Sequence, residues 1–102
     1  MSFTSLEWQR VDETLARAKP SLIACRANHG ATDGDITFRL HYDRAGEIGD
    51  VTVLDAPVDV TADFLADMIV IICEKVRFPR SARAGVLDFT DLGADSARRR
   101  HP

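Results

Sequence analysis

The chain has 102 residues, 45% hydrophobic and 28% charged, with a formal net charge of −3. This length makes one domain that buries roughly two-thirds of its unfolded surface, so a core forms without metal or disulfide staples. The acidic balance excludes a global attraction to nucleic acid or anionic membrane, and no run approaches the ~18 apolar residues of a membrane span.

The first ten residues, "MSFTSLEWQR", have neither a basic nor an apolar signal-peptide region. The expectation is a cytoplasmic, soluble chain whose cysteines, Cys25 and Cys73, are reduced and buried. A disulfide between them is the alternative if the chain is exported.

A helix opens the chain. Thr4 and Glu7 stand at capping-box spacing, with Phe3 and Trp8 as the partners of a hydrophobic staple. Val11, Leu15 and Ala18 then form one apolar stripe. Pro20 cannot donate to Ala16 and disfavours helix at Lys19, so a break or kink is expected there. A second helical stretch follows through Leu22, Ile23 and Cys25, with Gly30 as its stop.

After the loop "ATDGD", "ITFRLHYD" alternates as a half-buried strand. Ile36, Phe38, Leu40 and Tyr42 face inward, and Thr37, Arg39, His41 and Asp43 outward. "DRAGE" is a turn with Gly46 suited to positive φ. "IGDVTVL" returns antiparallel with Val51 and Val53 inward and Gly49 as a bulge.

Residues 67–81, "DMIVIICEKVRFPRS", carry an apolar run that reads as helix or strand. Charge order decides: Asp59, Asp63 and Asp67 precede it, and Lys75 and Arg77 follow, complementing a helix macrodipole. Asp59 or Thr61 serves as N-cap. Phe78-Pro79 is the expected terminator, with Pro79 holding Phe78 extended. "VLDFTDL" is a last strand with Val86, Leu87, Phe89 and Asp91 assigned inward, and 94–102 is expected to be a disordered basic tail. The prediction is an α+β domain over residues 1–93. Its small antiparallel three-stranded sheet has helices packed on one face, in the order α(α)ββαβ.

These residues resemble the C-terminal domain of TonB and its relatives. Gly34, Ile36, Phe38 and Leu40 match the first strand of that pattern, and Gly46 its turn. Val51 and Val53 match its second strand, and Phe78-Pro79 its closing aromatic-proline pair. The resemblance covers residues 34–92, without the membrane anchor or Pro-rich spacer of TonB itself. It implies a stand-alone domain that binds a protein partner, or a second copy as a homodimer, through exposed sheet edges. Some relatives carry two cysteines that look disulfide-paired. Cys25 fits the first, but Cys73 falls about a helical turn beyond the expected second position, where Met68 stands.

Little in the chain points to catalysis. Cys25 and His29 share a helix face, and with Cys73 and His41 they have the ligand types of a zinc site. There is no C-x-x-C, however, and buried structural cysteines are the simpler reading. The spaced acids Asp59, Asp63 and Asp67 read as one solvated face. No catalytic, cofactor-binding or metal residues are therefore assigned. The outward sheet residues Arg39, His41, Asp50 and Thr52 are the candidate partner-binding surface, with no nucleic-acid or membrane partner. The expected function is a non-enzymatic protein-protein interaction domain. Its alternatives are a small inhibitor or immunity-type protein occluding a basic partner, and a thiol- or zinc-dependent enzyme using Cys25, His29 and Cys73.

Overall fold

A computed structural model describes residues 3–30, 33–80 and 83–93. The expected tail at 94–102, with its arginine run, lies outside these residues, as do Ala31, Thr32 and Ser81. The elements run α1 (Ser5–Asn28), β1 (Ile36–Tyr42), β2 (Ile48–Asp55), α2 (Ala62–Lys75) and β3 (Gly85–Asp91). The strands form one antiparallel sheet in the order β2-β1-β3. Both helices cover one face, an α+β arrangement with a single core between the layers.

Helix α1 begins as its sequence dictates. Thr4 accepts from the Glu7 N–H, and the Glu7 side chain accepts from the Thr4 N–H at 2.8 Å. The Phe3 and Trp8 rings meet edge-on at 5.3 Å. The expected break at Pro20 does not occur: one helix of 24 residues runs through it. The buried positions Val11, Thr14, Ala18, Leu22 and Cys25 recur at spacings of three and four, and Pro20 sits on the exposed side of that stripe. An interior proline costs about 3 kcal/mol. Burying Leu22 completely returns about 1.5–3 kcal/mol, and Ala18 and Cys25 add to it.

The central strand β1 points Ile36, Phe38 and Leu40 into the core, all fully buried. In β2 the register slips at Gly49, because His41 faces Asp50 while Tyr42 faces Ile48. That extra residue turns both Ile48 and Val51 inward although they are three apart. A second slip leaves Leu54 unpaired, since Thr37 faces Asp55 and Phe38 faces Val53. In β3 the inward set is Leu87, Phe89 and Asp91; Val86, assigned inward from sequence, faces solvent. Strict alternation fixes this, because the inward-facing Phe89 and Asp91 exclude Val86 from their face.

Helix α2 is confirmed over the ambiguous apolar run, with Thr61 accepting from the Phe64 N–H as its N-cap. Phe64, Met68 and Ile72 form its buried stripe. Its end differs from expectation: the helix stops at Lys75, before Phe78-Pro79 is reached. Val76 is already extended, Arg77 bridges Glu47, and the Phe78 N–H donates to the Gly46 carbonyl at 2.8 Å. The Arg77 N–H donates to buried Thr14 at 3.0 Å. Backbone pairing with the β1–β2 turn therefore ends the helix, and Val76 and Phe78 both insert into the core.

That pairing sets the geometry of the turn. Gly46 has φ +85°, and a Cβ there would collide with the Phe78 carbonyl. Gly30 also has positive φ, +68°, but open space around it. Gly46→Ala is expected to lower unfolding stability in urea by more than the ~1–2 kcal/mol that left-handed geometry alone costs. Gly30→Ala is expected to lose only that conformational amount, and equal losses at the two positions would contradict the close contact.

Candidate functional site

Three features carry chemistry beyond packing: the outer sheet face, the edge of β3 beside α1, and a side-chain cluster between the helices. A buried ion pair joins the elements that carry the last two. Arg26, in the last turn of α1, donates from Nε to Asp91 Oδ2 at 2.7 Å and from an Nη atom to the Asp91 carbonyl at 3.0 Å. Its other Nη donates to the Gly34 carbonyl at 2.9 Å. Both side chains are 5% exposed. The loop before β1 is secured further by the Gly93 N–H, which donates to Asp35 at 2.9 Å.

On the outer face, Arg39 makes a two-pronged pair with Asp88 directly across on β3, at 2.8 and 3.1 Å. His41 Nε2 reaches Thr52 Oγ1 at 3.1 Å, and Asp50 accepts from the Val51 N–H at 2.9 Å. Thr37 and Thr90 hydrogen-bond at 3.0 Å. The four candidate residues thus lie on one face, as the alternation predicts. Asp88, which sequence reading left out, is the acid that engages Arg39, and only the β1–β3 register reveals it. Arg39–Asp88 and Thr37–Thr90 are directly opposed cross-strand pairs, the kind of contact through which side chains support a sheet.

The edges of the sheet are not equivalent. The two bulges kink β2, which is the usual way an edge is blunted against further pairing. β3 pairs with β1 through an unbroken register from Ile36–Asp91 to Tyr42–Gly85, and among the described residues no strand lies on its other side. Beside it runs a groove of about 290 Å³, whose walls include Leu15, Ala16 and Lys19 of α1 and Phe89 and Leu92. Exposed Val86 borders the same strand on the outer face.

Between the helices, Cys25, His29 and Asp67 converge, with one ligand atom from each lying within 4.8 Å of the others. His29 Nε2 is 2.8 Å from Asp67 Oδ2, and the imidazole packs on Phe64 at 5.2 Å. Helical spacing brings Cys25 and His29 together, whereas Asp67 enters only through packing of α2 on α1. The cluster opens into a groove of about 410 Å³ with Ala24, Val70 and Ile71 on its walls. Burial raises the Cys25 thiol pKa, with the Asp67 charge adding to it, so the free thiol stays protonated at neutral pH.

Cys73 is not part of this cluster. It follows Asp67 by six residues, about 240° around α2. Both cysteines are free thiols; Cys25 is buried as expected, but Cys73 is exposed. Partial enclosure of its sulfur, then the charges of Asp50 and Glu74, raise the Cys73 pKa as well. The alternative Cys25/His29/Cys73 constellation is therefore not assembled, because Cys73 lies toward Asp50 on the β2 side.

No protein-family model, curated protein or solved structure matches the chain. Among the described residues, no helix is long and apolar enough to cross a membrane.

The Arg39–Asp88 pair has a titration consequence. Its hydrogen bonds to Arg39 hold the Asp88 carboxyl below its usual pKa. A lowered folded-state pKa contributes stability above the unfolded value of ~3.9 that is lost as pH falls through the folded one. In a carboxyl-detected NMR titration, Asp88 is expected to protonate below an unpaired surface aspartate, and Arg39→Gln to move it upward. An unmoved midpoint in that variant would contradict the pairing.

Proposed function

We propose that the chain is a non-enzymatic protein-interaction domain that accepts an extended strand, from a partner protein or a second copy, along the free edge of β3. The observation that carries this reading is the contrast between the two edges: β2 is interrupted by slips at Gly49 and Leu54, whereas β3 keeps an unbroken register and lacks an outer neighbour among the described residues. Strand addition takes its affinity from backbone hydrogen bonds and its selectivity from pockets for alternate side chains. The groove along Leu15, Ala16 and Phe89 supplies such a pocket. An incoming strand would set every second side chain against it, favouring apolar residues there, with Lys19 and Asp12 at the margin for polar neighbours.

Of the outer-face residues, Arg39 and His41 stand on the central strand one step in from this edge, and Asp50 and Thr52 on β2 at the far side of the sheet. Arg39 and His41 already have partners, so a ligand using them displaces Asp88 or Thr52. The resemblance to the C-terminal domain of TonB supports the same mode of binding. A cytoplasmic, partner-binding role is part of this proposal.

Two neighbouring residues of an edge strand direct their N–H groups oppositely, one to β1 and one to solvent. Val86→Pro and Leu87→Pro therefore form a self-controlled pair. One variant disrupts the ladder and loses stability, and the other keeps the fold and blocks the edge. Self-association is read by sedimentation velocity, and peptide binding by selection from a displayed library followed by NMR mapping. The fold-retaining variant is expected to lose association or peptide binding at least about tenfold, with wild-type shift changes confined to β3 and the α1 groove. Unchanged association in that variant, or binding mapped to β2, would remove the mechanism.

A further inference from the structure

We propose that Cys25, His29 and Asp67 bind a zinc-class divalent metal ion that bridges α1 and α2, with a fourth coordination position open to the groove beside Val70 and Ile71. This inference is independent of the strand-binding reading, since the two sites involve different surfaces.

The donor set is the first argument. A thiolate, an imidazole and a carboxylate are the three side-chain ligands of zinc, and softer thiolate and imidazole donors select it over magnesium or calcium. One thiolate and one carboxylate carry two negative charges, which neutralise a divalent ion. Three protein ligands with one open position is the arrangement of catalytic rather than closed structural sites. On binding, the Cys25 S–H bond breaks, a sulfur–metal bond forms and the proton leaves to solvent.

Geometry is the second. Bond lengths of 2.0–2.3 Å at a tetrahedral ion place these donor atoms about 3.3–3.6 Å apart. The cluster brackets that spacing, from 2.8 Å between His29 and Asp67 to a limit of 4.8 Å overall. A modest side-chain rotation closes the difference. The groups that must move are free to do so: the His29 side chain is 27% and the Asp67 side chain 62% exposed. Cys25 is fixed at the floor, with a relative exposure of 6%. An ion can reach it from the groove, whereas a bulky electrophile is obstructed.

Support beneath the ligands is the third. Arg26, adjacent to Cys25, is locked to Asp91 and Gly34, which immobilises the last turn of α1 that carries Cys25 and leads to His29. Phe64 backs the imidazole at 5.2 Å. A site whose scaffold is held before the ion arrives loses less order on binding.

The test uses the full chain, reduced and chelator-treated, in a Cys73→Ser background that removes the exposed thiol as a competing ligand. Zinc is titrated calorimetrically, and cobalt(II) is the spectroscopic probe. The expected result is one ion per chain with a Kd of about 1 μM or tighter, a thiolate-to-cobalt charge-transfer band, and a rise in melting temperature with zinc. His29→Gln and Asp67→Ala, both at exposed positions, should each weaken zinc binding at least about tenfold while circular dichroism shows the fold retained. Cys25→Ser should remove the charge-transfer band. Absence of stoichiometric binding, or affinity unchanged in both His29→Gln and Asp67→Ala, would overturn the assignment.

Discussion

The buried pair between Arg26 and Asp91 is the interaction on which the arrangement of this domain depends. Removing two charges from water costs several kcal/mol per ion, and the pair is tolerable only because its donors are satisfied in good geometry. Arg26 does this with a planar fork that reaches the Asp91 carboxylate, the Asp91 carbonyl and the Gly34 carbonyl. Three segments are fastened at one point: the end of α1, the entry to β1 and, 65 residues further along the chain from Arg26, the end of β3. A hydrophobic contact would hold them together with less directional demand. The ion pair demands one register of β3 and one rotation of α1.

Both candidate sites follow from that constraint. Holding α1 against β3 makes the groove between Leu15, Ala16 and Phe89, so the free edge has side-chain pockets beside it. The same turn of α1 projects Cys25 and His29 toward α2, where Asp67 meets them. The opposite end of the domain is closed differently, by aromatic rings: Tyr42 and Phe78 lie 5.3 Å apart, with Phe3 against both. The molecule thus has a rigid polar clasp at one end and an apolar one at the other, with the open strand edge running between them.

Much of this architecture was legible in the chain. Capping chemistry at Thr4 and Glu7, alternation from Ile36 to Tyr42, the bulge at Gly49 and the charge order around α2 are all local signals, and each matches the structure. The misreadings share a cause. Pro20 is locally a helix breaker, but the continuous buried stripe from Val11 to Cys25 outweighs it. Phe78-Pro79 is locally a helix stop, but the exit at Val76 is dictated by Gly46, Glu47 and Thr14, all remote in sequence. Cys73 belongs to an apolar run, yet its azimuth on α2 turns it outward. The site was less legible still: Asp67 reads as one of three solvated acids, and Asp91 is placed on the inward face with no partner assigned to it. Their roles depend on helix packing and strand register, which no local pattern encodes.

The central claim is that Arg26 and Asp91 act as one unit holding α1 and β3 together, and a double-mutant cycle in urea unfolding tests it most directly. Arg26→Met and Asp91→Leu should each lose about 3–5 kcal/mol, because each leaves a buried charge without its partner. The double variant should lose no more than either single one, giving a coupling of at least about 3 kcal/mol. Small losses that simply add would contradict the account and leave the placement of both candidate sites without its anchor.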